Sequence, residues 1–325
     1  MEAKVLKDKL DGILQQKNGI IMYAVLKKDE TKIIKLINVA DEGGEKAEEK
    51  DTSEILLEGF TNIVKTTFET YDDSIKILPL SSADERKNGL YQYDLDELPE
   101  EMKFMKEVLI EDSNIATMNF NDDKLQQITA FIIVIGNSDN KIVLYKHQYP
   151  IGLLKRDKCM LTPIPHKNRL KKVEEDILRV DFNFQFCLFD NKFFVSDIDK
   201  MEKICSFHTL ITNEAKKSID LIKKFDILDN IEVLEEELDN VTFARKLTRV
   251  YKDSKLLGKV PKITIVEFTK YRSYFIKFPL KCVDDKFVLD TKKSRDTFIK
   301  LINDDFLKSE LTNYEYESLA KNISN

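Results

Sequence analysis

Two β-branched runs, Ile128 to Ile135 and Lys141 to His147, flank the turn-forming stretch Gly136-Asn137-Ser138-Asp139-Asn140, and this pair constrains the chain more than any other feature. Side chains branched at Cβ favour extended backbone, and a short loop of Gly, Asn, Ser and Asp lets the chain reverse, so the segment predicts an antiparallel hairpin. The unbroken apolar run Ala130 to Ile135 has only six residues, whereas a bilayer-spanning helix needs about 20. The chain is therefore not expected to cross a membrane by itself. Its opening, MEAKVLKDKL, lacks the apolar core of a secretory signal, so a cytoplasmic location is expected.

The remaining pattern alternates between strand and helix periods. Ile20 to Leu26 and Lys32 to Val39 read as strands joined by the polar turn Lys27 to Thr31. Leu56, Phe60, Ile63, Val64, Phe68 and Tyr71 recur every three or four residues, which predicts an amphipathic helix from Thr52 to Tyr71. Ile75 to Leu80 reads as a short strand, and Pro99 to Leu109 as a helix with Pro in its first turn and acids at its start. Phe182, Phe184, Phe186 and Leu188 alternate along a second predicted hairpin closed by Phe193 to Val195. Their two readings are a packed core and a base-stacking platform; without Lys or Arg interleaved on that strand, core is favoured. Helices are expected from Ile198 to about Leu257, β structure from Ile263 to Leu289, and a last helix from Asn313 to about Asn322. Thr312 and Glu315 have capping-box spacing for that helix, with Leu311 and Tyr316 as its hydrophobic staple. The expected fold class is α+β: two mixed domains, small antiparallel sheets with packed helices, and a helical C-terminus. At about 100–200 residues per domain, 325 residues suit two. The weakly patterned stretch Glu111 to Gln127 sets the boundary, giving an acidic domain 1–125 and a domain 126–325 with basic segments.

The formal charge of −6 conceals a polarity between these halves. Asp41 to Glu54 holds seven acids and two lysines, and Asp84 to Asp112 ten acids and four bases. Lys141 to Lys172 holds nine bases and one acid, and Arg245 to Lys281 eleven bases and two acids. Such asymmetry points to a polyanionic partner for the second half.

Several chemistries lack their physical support. Neither G-x-G-x-x-G nor G-x-x-x-x-G-K-[ST] occurs, and nine glycines leave little material for a phosphate-cradling loop. No G-x-S-x-G elbow is present. Cys159, Cys187, Cys205 and Cys282 lie far apart in mostly apolar surroundings, as reduced core thiols do, and His147, His166 and His208 have no metal-ligand spacing. No cofactor and no resident metal are expected. Asp290-Thr291-Lys292 after Phe287 to Leu289, with Asp284 or Asp285 as second carboxylate, could serve a Mg²⁺-dependent nuclease. An acid two residues before a lysine is common by chance in a chain one-third charged.

The basic segments carry more weight. Lys155, Arg156, Lys158, Lys167, Arg169, Lys171 and Lys172 lie in a loop-like stretch containing Pro163 and Pro165 and no local acid but Asp157. From Asp239 to Leu257, Val241, Ala244, Leu247, Val250 and Tyr251 mark a buried helix face, and Arg245, Arg249 and Lys252 fall at i, i+4 and i+7 beside it. A positive stripe of that kind can follow a phosphate backbone; its plainer reading is a solvated face paired with acids such as Glu235 to Glu237.

One more pattern lies at the end of the chain. Lys300-Leu301-Ile302-Asn303-Asp304-Asp305-Phe306-Leu307-Lys308-Ser309-Glu310-Leu311-Thr312, then Tyr316-Glu317-Ser318 and Lys321, resembles the ending of the KwaB family, the cytoplasmic component of the Kiwa antiphage defence system. Val180 to Val195 running into Met201-Glu202, and Phe243-Ala244-Arg245-Lys246-Leu247, are similar in style, so the resemblance covers about 125–325. The N-terminal part matches only in length and in Tyr91-Gln92-Tyr93-Asp94. The resemblance implies a DNA-binding protein that interferes with phage DNA replication or expression, and the effector is expected to be non-catalytic. It further implies self-association, a homodimer being expected, and attachment to the inner membrane face through a small membrane partner, KwaA. No catalytic residue comes with it. The ten basic residues named above are then the expected DNA contacts. The alternatives are the Mg²⁺-dependent nuclease and an interaction scaffold whose acidic half docks a membrane partner.

Overall fold

A computed structural model describes residues 3–15, 19–39, 51–69, 77–80, 90–110, 114–137, 140–149, 153–154, 161–164, 169–172, 177–195, 198–309 and 311–317. In chain order the elements of the first two-thirds are α1 (Ala3–Leu14), β1 (Gly19–Lys28), β2 (Thr31–Ile37), α2 (Thr52–Glu69), β3 (Leu78–Pro79), β4 (Tyr91–Gln92), α3 (Glu100–Ile110), β5 (Ile128–Gly136), β6 (Lys141–His147), β7 (Leu153–Leu154), β8 (Leu161–Ile164), β9 (Arg169–Lys172), β10 (Ile177–Leu178), β11 (Phe186–Phe189), β12 (Lys192–Val195) and α4 (Ile198–Ile204). There follow α5 (Phe207–Phe225), α6 (Glu232–Glu235), α7 (Val241–Asp253), α8 (Lys262–Tyr271), α9 (Ser273–Lys277), β13 (Lys281–Val283), β14 (Lys286–Val288), α10 (Lys292–Ile302), β15 (Phe306–Lys308) and β16 (Glu315–Glu317). The class is mixed α+β with small sheets and a helix-rich C-terminal region, as the sequence pattern predicts.

The chain divides into two compact units, one of Met1–Ile77, Asn88–Gln92 and Leu98–Cys205, the other of Leu78–Lys87, Tyr93–Glu97 and Ser206–Asn325. This division does not follow the expected boundary at 125/126. The hairpin β5–β6 lies beyond that boundary, yet β5 pairs with β1 from Gly19↔Gly136 to Leu26↔Ile128. Strand pairing is blind to sequence distance, whereas a composition shift registers only local character.

In the first unit the strands β2-β1-β5-β6-β11-β12-β4 lie side by side, each neighbouring pair antiparallel. One face holds Met22, Ala24, Leu26, Phe131, Ile133, Ile135, Ile142, Leu144, Cys187, Phe189 and Phe194, and packs with Leu6, Leu10, Ile13 and Leu14 of α1 and Phe60, Val64 and Phe68 of α2. On the opposite face α3 contacts β6, and Lys106 of α3 sits 5.7 Å from the Phe193 ring centroid. Burial on both faces explains why β5 and β6 are continuously apolar rather than alternating. The turn between them ends β5 at Gly136 with φ +141, where a Cβ would meet the Asn140 carbonyl oxygen, so only glycine fits. Phe182, although 41% exposed, packs edge-on against Phe60, and Phe186 is fully buried and stacks on Tyr145 at 4.6 Å. These phenylalanines serve the core. Cys187 and Cys205 are buried thiols, with burial pushing Cys187 up to about 12; Cys282 is exposed, and Cys159 lies outside the described residues.

The hairpin β1–β2 is anchored by a carboxylate. Asp123, its side chain wholly buried, accepts from Lys28 Nζ at 2.9 Å, Lys35 Nζ at 2.5 Å and the Asn119 N–H at 3.0 Å. The Lys35 ammonium above all, helped by the Asn119 N–H and Lys28, holds the Asp123 carboxyl well below the usual carboxylate range. A depressed folded-state value means that this stabilisation is full above about pH 4 and is lost as pH falls further toward the folded value. Asp123→Asn should cost about 1.5–3 kcal/mol at pH 7, the worth of hydrogen bonds to a charged group. In urea unfolding the gap between variant and parent should narrow from pH 7 to pH 3; a gap unchanged by pH would remove the carboxylate's charge from the account.

In the second unit α7 packs on α5 and touches α10. Ser218, fully buried on α5, donates to the Leu247 carbonyl at 2.5 Å and accepts from the Tyr251 N–H at 3.0 Å, so one hydroxyl joins the two helices. Two sequence expectations are corrected here. Ile263 to Leu289 is mainly helical, as α8 and α9, with β structure confined to the β13–β14 hairpin. Packing overrides the β preference of Ile263, Ile265 and Val266: Pro261 caps α8, and Ile265 and Val266 are buried on it. Of the helix expected from Asn313 to about Asn322, the described residues up to Glu317 instead lead into strand β16, paired Phe306↔Glu317 to Lys308↔Glu315, and 318–322 lie outside the described residues. Thr312 does not cap a helix; its hydroxyl accepts from Tyr314 N–H, Asn313 takes a left-handed φ of 56, and Glu315 pairs with Arg272 at 3.4 Å.

Candidate nucleic-acid interface

The residues expected to contact DNA separate into two regions. Lys155, Arg156, Lys158 and Lys167 lie outside the described residues. Arg169, Lys171 and Lys172 are on β9, which pairs with β8 in the register Leu161↔Lys172, Thr162↔Lys171, Pro163↔Leu170 and Ile164↔Arg169. A second short pair, β7 with β10, joins Leu154 to Ile177 and Leu153 to Leu178. Thus the stretch that reads as a loop contains two local antiparallel pairs, nested one inside the other along the sequence. Pro163 is tolerated in β8 because a two-stranded pair leaves one edge of each strand without a partner.

The helical stripe is different. Asn240 caps α7 by accepting from the Phe243 N–H, and Phe243, Ala244, Leu247 and Val250 are buried. Arg245 is also buried, at 4% exposure, because α7 is covered by α10 as well as by α5. It therefore does not belong to a solvent-facing stripe. Lys252 lies 4.0 Å from Asp96, which already accepts from Lys217 at 3.0 Å. Neighbouring Lys246 pairs with Asp296 at 3.0 Å. The Glu214 carboxylate, then Asp96, raise the Lys217 pKa, so Lys217 stays charged around neutrality. Arg249, half-buried, has no carboxylate partner among the described residues. One member of the three-residue stripe is therefore available to an external anion.

The acid-x-lysine motif is divided between elements. Asp290 is exposed; Thr291 caps α10, accepting from the Ser294 N–H at 3.0 Å while the Ser294 hydroxyl accepts from the Thr291 N–H at 3.0 Å; Lys292 opens the helix. Asp284 and Asp285 form the left-handed turn of β13–β14, with φ of 49 and 57. Among the described residues no group of three or more His, Cys, Asp or Glu side chains is arranged to hold a metal ion.

A further cluster was not visible in the sequence. Tyr274, Phe275 and Phe306 pack with ring centroids 4.5 to 4.9 Å apart for the two pairs to Phe306, and Phe278 lies 5.1 Å from Tyr274. A cavity of about 420 Å³ runs between Phe268, Tyr274, Phe278, Phe306 and Tyr316, and a second of about 400 Å³ lies between Tyr274, Lys292, Lys293 and Lys300. Aromatic spacing at 271, 274, 275 and 278 was a possible signal, but Phe306 and the lysines of α10 join it only through the fold.

The model of the KwaB family, described as Kiwa protein KwaB-like, matches residues 125–312 of this chain. The chain belongs to that family. Kiwa protein KwaB of Escherichia coli O55:H7 (strain RM12579 / EPEC) is 27% identical over 323 residues, covering 99% of this chain and 98% of that protein. Family likeness thus extends across the acidic N-terminal part, where the sequence motifs were weakest. No solved structure matches. Among the described residues, no helix is long and apolar enough to cross a membrane.

Proposed function

We propose that this chain is the nucleic-acid-binding component of an antiphage defence system, holding DNA by its phosphates with little sequence preference and without cleaving it. The observation that carries the reading is the basic segment around Arg169, Lys171 and Lys172, whose described parts pair as antiparallel ribbons. A two-stranded ribbon is one of the two elements that B-DNA's major groove admits, and lysine and arginine on it neutralise phosphates. Family membership supports the defence setting, and the other Kiwa components, including a small membrane protein of the KwaA type, are the proposed partners at the inner membrane face. Self-association as a homodimer would double the phosphates engaged. Interference with phage DNA replication or expression follows if the bound protein blocks passage of polymerases.

Duplex binding followed by fluorescence anisotropy across a salt series tests this. Log affinity should fall linearly with log salt, by about 0.9 per phosphate engaged; a flat line would end the proposal. Plasmid incubated with the protein and Mg²⁺ should remain intact. Cleavage that disappears in Asp290→Ala would instead favour the nuclease reading.

A further inference from the structure

We propose that a cleft in the second unit binds one unpaired nucleotide of a single-stranded nucleic acid, the base against Tyr274 and Phe306 and the phosphate against Lys292 and Lys293. This goes beyond the duplex reading, although it shares the premise that the ligand is a nucleic acid. The first support is incomplete burial. Phe275 is a core residue at 3% exposure, but Phe268, Tyr274, Phe278 and Phe306 are half-buried and Tyr316 is 51% exposed. An aromatic cluster that served only as core would close over the space between its rings; this one borders about 420 Å³ of cavity, within the roughly 300–1,000 Å³ of ligand pockets.

Charge supplies the second support and selects the ligand. Tyr274 also borders the adjoining cavity of about 400 Å³ lined by Lys292, Lys293 and Lys300. Lys292 and Lys293 are exposed and have no carboxylate partner among the described residues; the Lys293 ammonium lies 3.2 Å from the Phe278 ring centroid. Both carboxylates in the walls are engaged, Glu315 by Arg272 at 3.4 Å and Asp296 by Lys246 at 3.0 Å. The local field is therefore positive. A quaternary ammonium group, the usual guest of an aromatic cage, would be repelled. An anion with a flat apolar body is accepted, and a nucleotide is that molecule: base for the rings, phosphate for the ammonium groups. Stacked bases inside a duplex hide their faces, so the nucleotide must be unpaired. A single strand fits better than a free triphosphate, because two ammonium groups without a glycine-rich cradle match one phosphate at a time rather than three.

The test titrates the full chain into a short oligothymidylate carrying one central 2-aminopurine, whose fluorescence is quenched by stacking. The chain contains no tryptophan, which leaves the signal clean. Quenching is expected. Tyr274→Leu should weaken binding about 5- to 150-fold, the range for loss of one base stack. Because that variant alters packing, the exposed pair Lys292→Gln with Lys293→Gln provides the second measurement: it should lower the slope of log affinity against log salt by about 0.7 per phosphate released. Absence of quenching in the parent, or an unchanged slope in the lysine variant, overturns the site. So does quenching of 2-aminopurine nucleoside monophosphate without binding of the oligonucleotide. Duplex anisotropy on the same preparations separates the two proposals. Duplex binding kept while quenching is absent overturns this cleft alone, whereas loss of both overturns the nucleic-acid reading as well.

Discussion

Reversing Arg169, Lys171 and Lys172 to Glu should reduce duplex affinity by two to three orders of magnitude near physiological salt and flatten its salt dependence. All three residues lie on the four-residue strand β9, paired with β8, so the substitutions reverse the charge of one ribbon. If each contacts a phosphate, three fewer counterions are released, and the slope of log affinity against log salt should drop by about 2.7 at about 0.9 per phosphate. Repulsion by the three new carboxylates adds to the loss. Anisotropy at several salt concentrations measures both quantities, and circular dichroism checks the fold. Affinity within twofold of the parent would remove this ribbon from the interface. The same reversal at Arg249 and Lys252 should have a smaller effect, because Lys252 is already near Asp96.

Phe131→Ala should destabilise the first unit by about 3–5 kcal/mol, the usual cost of truncating a buried phenylalanine. Phe131 is fully buried on β5, opposite Ala24 of β1 and Lys146 of β6. It also has a second task. Lys146 is 3% exposed, and its ammonium donates to Gln148 at 2.9 Å and sits 5.6 Å from the Phe131 ring centroid. Burial lowers the Lys146 pKa, so the folded protein tolerates this charge at a cost that the ring face partly offsets. A folded-state value below 10.5 means that the unfolded chain binds more protons in that window. Stability from this group therefore increases as pH rises toward 10.5. Lys146→Met should abolish that increase. Phe131→Leu retains most of the apolar volume, so a double-mutant cycle of Phe131→Leu with Lys146→Met isolates the ring–cation coupling, expected at about 0.5–2 kcal/mol by urea unfolding. Zero coupling would leave Phe131 as packing alone.

Much of the first unit was legible in the sequence because its signals are local. The helix expected at Thr52 to Tyr71 spans Thr52–Glu69, and the run Ile128 to His147 forms the hairpin it predicts, since periodicity and turn chemistry act within a few residues. The C-terminal misreading has the same origin. Thr312 and Glu315 satisfy a capping-box spacing, but Glu315 finds Arg272, distant in sequence, and the ring of Phe306 in the partner strand packs on Tyr274 and Phe275. Arg245 looks like a surface charge by its spacing with Arg249 and Lys252 beside the apolar helix face, and only the packing of α5 and α10 around α7 reveals that it is buried.

By itself, then, the sequence determined the element types of its strongly periodic segments, the α+β class, the polarity of charge and the resemblance that places the chain in its family. Tertiary structure alone decided that residues on either side of position 125 share one sheet, that one arginine of the helical stripe is withdrawn from solvent, and that Tyr274, Phe306, Lys292 and Lys293 border adjoining cavities. The physical reason is range. Backbone preference and periodicity are settled among neighbours in the chain, whereas burial, ion pairing and the lining of a cavity depend on which distant segments arrive beside them.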